Sequence, residues 1–458
     1  MAAPPTEVKK TLGLTGVTVN AMALIAPGAF LWITFQIQAG NKGGDTDMWT
    51  GIVAALIVAL LTAVSFAELA RKYPEAGSGG SYYFAEKAFL DRDKAGHQRF
   101  ARISKFITGW AAHLFYWVYP GVMVAFMATL VAYIFSQFGV TVSIPWQIAI
   151  AVLFSVFVGF IAVRGITGST NISIAILILV GFESSTSLAG EAKNPKRDIP
   201  RGVLLSLVIQ GLFAYLLEYF AANYAVCEKL VNVAADGTKT TGMAAAAASS
   251  APIGDMVRLI GDAMLGGNGF ALMLVIAVTV GLAVLGTTLA AINTAVRVSF
   301  AMAQDSEMPG PLGALHGKHA TPHVGVWILV AVSAVIGAIG VLNTTMLTAV
   351  TLASNIGTFI LYGLICFLTF VAFSGRKEFH SGKHAIVPFL GLVGNIGMLL
   401  GIVVIGLTAA DPVSKNATRY ALYFTLGWGL VSAFYLWWNS KKTGKDILPA
   451  MATSRGAR

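Results

Sequence analysis

Apolar residues in this chain run in continuous blocks and do not alternate with polar ones. Stretches such as IVAALIVALLTAVSFA and IAIAVLFSVFVGFIAV contain no charge at all. With their flanks they reach the roughly 18 residues expected of a membrane-crossing helix. Windows of this kind fall near residues 15–38, 48–70, 106–134, 145–163, 174–190, 202–225, 268–297, 324–342, 346–374, 387–409 and 419–438. A transmembrane β-barrel would show a period of two instead. The pattern predicts an all-α integral membrane protein with eleven readable spans.

Composition agrees. Of 458 residues, 56% are hydrophobic and 11% charged, whereas soluble domains carry about 25% charged residues. The opening MAAPPTEVKKTLGLTG lacks the arrangement of a cleavable signal peptide, because the apolar stretch after it starts late and runs long. Two cysteines, Cys227 and Cys366, cannot build a disulfide framework. No metal-spaced His/Cys cluster, Walker loop or Ser-His-Asp pattern stands out. The net charge of +10 is better explained by membrane orientation than by nucleic acid, so no nucleic-acid partner is expected.

Charge placement then tests the topology. With Lys9 and Lys10 on the cytoplasmic side, the inside loops collect the Arg71–Lys105 group, Arg164, the Lys193–Arg201 group, Arg297 and Lys318. They also collect Arg376, Lys377, Lys383 and the basic C-terminus. Of the 31 Lys and Arg residues, only Lys42, Lys229, Lys239, Arg258, Lys415 and Arg419 fall outside. Such asymmetry fits the positive-inside rule and puts both termini in the cytoplasm. It holds only if Arg164 and Lys193 share a side. The helix between them would measure about 44 Å at roughly 1.5 Å per residue, while two crossings of a ~30 Å core need about 60 Å. One crossing is therefore expected to be missing from RGITGSTNISIAILILVGFESSTSLAGEAKNPKR.

Helix breaks are a second signal. Pro27-Gly28 in the first window removes a backbone donor at membrane depth; a simple kink is the competing reading. Gly181, followed by Glu183, Ser184, Ser185, Thr186 and Ser187, marks a second possible break. Paired broken helices in corresponding halves point to a transport site near the midplane.

Four motifs in order make the chain similar to the amino acid–polyamine–organocation (APC) superfamily of secondary transporters. They are FAELARKYPEAGSGGSYYFAEKAF, the Gly109-Trp110 pair, GFESSTSLAGEAKNPKRDIPRG, and NTAVRVSFAMAQDSEMP followed by TPH. The resemblance implies one transmembrane transporter domain over residues 1–458 with twelve helices. Residues 1–173 would form a first five-helix repeat, incomplete for want of its fifth helix, and 174–374 an inverted second repeat. Two extra C-terminal helices would fall in 387–438. About 40 to 70 residues, one span and a loop, would be absent between the fourth and sixth helices.

The same resemblance implies a substrate site at Ile25, Ala26, Pro27, Gly28 and Ala29 of the first helix and Leu179, Val180, Gly181 and Phe182 of the sixth. Free N–H and C=O groups at broken helices there would hold a carboxylate and an ammonium. Two departures bear on the substrate: Ala-Pro-Gly stands where many members have Gly-X-Gly, and Leu179 replaces a frequent aromatic. Glu183 matches an acidic inner gate, and Ser354 and Asn355 an outer gate. Thr287 and Thr288 are candidate sodium ligands, although hydroxyls in membrane helices more often bond their own backbone. Glu68, three residues before Arg71, reads as an interfacial partner for basic residues, and Glu218 as a structural acid. Tyr116, Trp117 and Tyr119 line either a pathway or a packed core. The stretch DGTKTTGMAAAAASSAP reads as a flexible outer segment before an amphipathic one.

The expected activity is secondary active transport of amino acids or related amines by alternating access in the plasma (inner) membrane, by proton-coupled symport or exchange. Partners would be the small-molecule substrate, membrane lipid, and a proton or sodium ion, with no cofactor. The competing reading is a transport-inactive sensor or receptor that keeps the fold. A membrane-embedded enzyme would need a convergent nucleophile, base or metal set, and none is legible.

Overall fold

A computed structural model describes residues 12–22, 27–40, 48–74, 79–92, 95–164, 186, 192–226, 229–233, 237–317, 319 and 321–448. The chain enters through α1 (Leu14–Met22) and α2 (Pro27–Ala39), and returns in α3 (Met48–Lys72). Two short helices, α4 (Ser81–Leu90) and α5 (Ala95–Gln98), lead into α6 (Ala101–Tyr116), α7 (Tyr119–Ser136) and α8 (Ile144–Val163). Next come α9 (Pro195–Val226), a two-stranded hairpin of β1 (Val231–Val233) and β2 (Lys239–Thr241), and the helices α10 (Gly242–Ala248) and α11 (Pro252–Met264). The remaining long helices are α12 (Gly269–Gln304), α13 (His323–Gly340), α14 (Thr344–Phe373), α15 (Val387–Thr408) and α16 (Pro412–Thr443).

Eight helical segments among the described residues are long and apolar enough to cross a membrane, as expected of a multi-pass membrane protein. The 174–190 window lies outside the described residues. The 419–438 window falls within α16 but is not one of the eight, because interfacial residues such as Tyr420, Tyr423, Trp428 and Tyr435 lower its hydropathy. Apolar side chains face outward: Leu153, Phe157 and Phe160 on α8, Leu212 and Leu216 on α9, Phe389 and Ile405 on α15. Polar side chains such as His113, Ser299, Thr287 and Asn395 turn inward. That inversion suits lipid as the outer solvent.

Close approach fixes the packing of α6 at two glycines. A Cβ on Gly357 of α14 would come within 2.8 Å of the Phe115 backbone nitrogen, and one on Gly109 would press on Met302 and Tyr82. The Gly109 of the Gly-Trp pair is therefore where α4, α6 and α12 converge.

At one face of the bundle, ion pairs tie the helix ends together. Arg102 donates from Nε to Glu307 Oε1 at 2.7 Å and from Nη2 to Oε2 at 3.2 Å. Asn439 of α16 donates to the same carboxylate at 3.2 Å. Lys105 donates to Glu86 at 2.6 Å and Asp305 at 2.9 Å, and the Tyr82 hydroxyl donates to Asp305 at 3.0 Å. Burial, with the Asp305 carboxylate beside it, pushes the Tyr82 phenol well above its ordinary range, so it stays a donor.

Further contacts on this face join residues far apart in sequence. Lys193 N donates to Leu12 O at 2.8 Å, Thr321 Oγ1 to Val163 O at 2.8 Å, and Lys72 Nζ to Glu378 at 3.3 Å. Arg71 pairs with Glu68 at 3.1 Å, the interfacial partnership expected from their spacing. The opposite face carries Gln36 against Ala247, Gln137 against Arg258, and Tyr133 against Asp255. The helix ends thus divide as the charge count requires: Val163 and Lys193 lie on the same face.

The alanine-rich stretch after β2 departs from the flexible segment expected. It forms α10, whose Ala245 and Ala246 are fully buried in a second core with Leu31 and Phe35 of α2 and Ala221 and Ala225 of α9. Small side chains let a short helix lie flush on the bundle, so alanine here serves packing.

The Arg102–Glu307 pair yields a stability prediction. Glu307→Ala removes the buried carboxylate that Arg102 and Asn439 share and is expected to cost about 3 kcal/mol. Arg102→Met combined with Glu307→Leu should recover most of that loss. Thermal unfolding of both proteins in micelles checks it; a double variant no better than Glu307→Ala would contradict it.

Candidate functional site

The first helix supplies the site's starting geometry. Helix α1 ends its described run at Met22 and α2 begins at Pro27, so Pro27, Gly28 and Ala29 form the first turn of α2. Proline suits that position, because a first-turn N–H has no intrahelical partner to lose. Ile25 and Ala26 lie outside the described residues, as do Leu179, Val180, Gly181, Phe182 and Glu183 of the sixth-helix segment. What the structure describes is the wall around them.

Gln210 of α9 provides one part of that wall. It is buried at 1% exposure, and its Nε2 donates to the carbonyl of Met22 at 2.8 Å. A carbonyl near a helix end in lipid needs such a donor, since water is absent. The other end of the amide, Oε1, has no partner among the described residues. Gln210 was not singled out from sequence, although a lone amide in LLSLVIQGLFAYLLEY is the signal that could have found it.

A second part is the α6–α7 junction. The 106–134 window, read as one span, is interrupted at Trp117 and Val118, just before Pro120. Proline lacks the N–H that would continue the ladder. Tyr116 and Tyr119 flank the interruption and are buried, and Trp117 is half-buried. Trp117 Nε1 donates to Ser299 Oγ of α12 at 3.2 Å, and His113 Nε2 stands 3.1 Å from the same oxygen. The Ser299 hydroxyl donates to Ala295 O at 2.9 Å, so the His113 nitrogen facing it acts as donor. His113 Nδ1 then has no partner among the described residues. A buried imidazole at this depth is a second feature that HLFYW displayed and sequence reasoning passed over.

The remaining sequence candidates occupy helices that pack on this junction from two sides. Thr287 and Thr288 are buried on α12, and their hydroxyls donate to Ala283 O at 2.9 Å and Val284 O at 2.6 Å. Their protons serve the helix, and their oxygens keep lone pairs. Ser354 on α14 is buried with Oγ lacking a partner among the described residues, and Asn355 beside it is half-buried. Ser354 sits one turn from Gly357, whose backbone meets that of Phe115. The structure therefore brings the Ser354 turn to the α6–α7 junction.

On the opposite face from the ion pairs, α11 covers the end of α2. Trp32 meets Tyr133 edge to face at 5.9 Å, and Tyr133 donates to Asp255 at 2.8 Å. Asp255 also accepts from Ser249. A Cβ on Gly254 would collide with both rings, at 2.6 Å from the Tyr133 hydroxyl. The amphipathic stretch expected around MVRLIGDAM thus acts as a cap over the first helix.

Comparison with known proteins adds an independent line. The family described as "Amino acid permease" matches residues 169–437. The branched-chain amino acid permease BcaP of Bacillus subtilis is 30% identical over 171 residues, 36% of this chain and 31% of that protein. The low-affinity putrescine importer PlaP of Escherichia coli is 26% identical over 266 residues, 48% of this chain and 55% of that protein. This chain therefore spans less than two thirds of either relative. An uncharacterized transporter of Mycobacterium tuberculosis is 24% identical over 466 residues, covering 91% of this chain and 94% of that protein.

Removing the Gln210 amide tests the geometry directly. Gln210→Leu leaves the Met22 carbonyl without that donor and is expected to cost about 1–2 kcal/mol. Thermal unfolding in micelles measures it, with Gln98→Leu, an exposed amide remote from the site, expected to change little.

Proposed function

The chain belongs to the amino acid permease family, and on that premise we propose that it is a secondary transporter of amino acids or related amines. It works by alternating access in the plasma (inner) membrane, with both termini cytoplasmic. The observation that carries this reading is the Gln210 amide on the Met22 carbonyl, beside the Pro27 start of α2. That arrangement suits a first helix interrupted near the midplane. The spare Oε1 of Gln210 then offers an acceptor to a substrate ammonium, and the N-terminal turn of α2 offers donors to a carboxylate.

The substrate site spans Ile25 to Ala29 and Leu179 to Phe182, with Glu183 as inner gate. Ser354 and Asn355 serve the outer gate, assisted by the α11 cap. Leu179, Val180 and Phe182 are apolar, which favours an amino acid with an apolar side chain over a diamine. BcaP, a branched-chain amino acid permease, is a relative in keeping with that choice. Coupling falls to a proton or to exchange, and Thr287 and Thr288 remain the candidates for a sodium site. The repeats take residues 1–173 and 174–374, with 387–438 as the added pair.

One span is proposed to be absent between Val163 and Ala192. Its two flanks share a face, and the intervening chain is too short for two crossings. The intact mass of the purified protein tests this: 48.1 kDa would mean that the chain itself lacks the span and would count against ordinary alternating access, whereas a value several kilodaltons higher would mean that the protein carries the span.

Counterflow into proteoliposomes tests the activity. Labelled leucine should accumulate against unlabelled leucine trapped inside, and external putrescine should compete weakly. Leucine binding without flux would favour the sensor or receptor reading.

A further inference from the structure

Where α3, α4, α9 and α14 meet the chain leading into α15, a cavity of about 610 Å³ opens on the face that carries the ion pairs. Its basic lining is Arg71, Lys72, Lys87, Lys196 and Lys383, against the carboxylates of Glu68, Asp91 and Glu378. Those carboxylates are largely engaged. Glu68 is held by Arg71 at 3.1 Å and stands 3.4 Å from His384 Nε2; Glu378 is held by Lys72 at 3.3 Å. Lys196 and Lys383 make no ion pair among the described residues. Among its lysines, arginines and carboxylates the cavity keeps an excess of two positive charges, in walls that include the Phe373–His384 stack at 3.7 Å.

The same helix junction carries a second hollow. About 390 Å³ of almost wholly apolar groove lies between α14 and α15, lined by residues such as Cys366, Phe370, Ile386 and Phe389. Phe370 stands one turn deeper on α14 than Phe373 of the basic cavity, and Ile386 follows His384 by two residues. Phe370 and Phe389 are exposed, at 47% and 63%. A charged cavity and an outward-facing apolar groove thus occupy the same α14–α15 junction, with no lining residue in common.

We propose that this junction is a binding site for an anionic phospholipid, with its phosphate headgroup among Lys196, Lys383 and Arg71 and an acyl chain along the Phe370–Phe389 groove. Basic pockets between membrane helices hold such headgroups. A free phosphate would use the cavity alone and leave the groove without a role; the apolar groove at the same α14–α15 junction favours a lipid. The site uses none of the residues assigned to substrate, and its occupancy would brace α3 against α14 and α15.

Native mass spectrometry of the full chain tests this, using micelles loaded with equal phosphatidylglycerol and phosphatidylcholine of matched chains. Phosphatidylglycerol should be retained about tenfold over phosphatidylcholine. Lys196→Gln with Lys383→Gln should abolish that preference, since two basic groups near a membrane surface are together worth roughly thirtyfold. Phe370→Gln should weaken retention of the long-chain lipid. Lys441→Gln with Lys442→Gln removes equal charge from the end of α16 and should leave the preference intact. Equal retention of the two lipids would overturn the proposal, and so would equal losses in both lysine pairs. Displacement of the lipid by millimolar inorganic phosphate, with Phe370→Gln inert, would mark a free-phosphate site and overturn it too.

Discussion

The buried carboxylate of Glu307 is the fixed point of this bundle. Through it Arg102 at the start of α6, the end of α12 and Asn439 of α16 meet at one place. Lys105 extends the junction to Glu86 of α4 and to Asp305. Groups of this kind are costly to bury unless each finds its partner, and here the partners come from four different helices. Any shift of one helix end would strand a charge. The ends of α4, α6, α12 and α16 therefore form a block held by electrostatics at one face, while Gly109 lets α6 approach α4 and α12 closely and Gly357 brings α14 onto α6.

The first helix is held differently. Helix α1 packs on α9, and α2 packs on α9 and the outer helices α10 and α11. Its polar links among the described residues include single hydrogen bonds from Gln210 to Met22, Gln36 to Ala247, and Lys193 to Leu12. Each contributes about 1 kcal/mol net, far less than the ionic junction. Buried ion pairs thus join the ends of α4, α6, α12 and α16, while these polar links of the first helix are neutral hydrogen bonds.

Much of this architecture was legible in the residues. Continuous apolar windows matched α3, α8, α9 and α12 through α15, because span length is imposed by the bilayer and not by particular side chains. Lysine and arginine counts separated the two faces for the same reason, and Glu68 with Arg71 was readable from spacing alone. The less legible features depend on partners distant in sequence. Pro120 interrupts the α6–α7 span, yet a proline inside an apolar window reads equally as a kink. His113 and Gln210 are single polar residues whose meaning depends on Ser299 and Met22. The alanines of α10 looked like a linker because composition cannot reveal that Leu31 and Phe35 wait to receive them. Ile25, Ala26 and the whole 179–183 run fall outside the described residues, whereas Pro27, Gly28 and Ala29 begin α2.

Those walls constrain the chemistry further. Trp32 Nε1, Gln210 Oε1, His113 Nδ1 and Ser354 Oγ are all buried without a partner among the described residues. Buried polar atoms are almost always paired, because desolvation without a hydrogen bond costs roughly 1–3 kcal/mol each. They come from four helices, α2, α9, α6 and α14, and two of them are acceptors only when the opposite edge of the side chain is donating. Gln210 and His113 meet that condition: each donates from one end, to Met22 O and to Ser299 Oγ, and so presents a lone pair at the other. A hydrated cation or an ammonium satisfies such acceptors, whereas a purely apolar solute does not. On the proposed reading, the lone pairs of Gln210 and His113 suit an ammonium-bearing substrate, whereas Trp32 Nε1 is a donor and suits an acceptor.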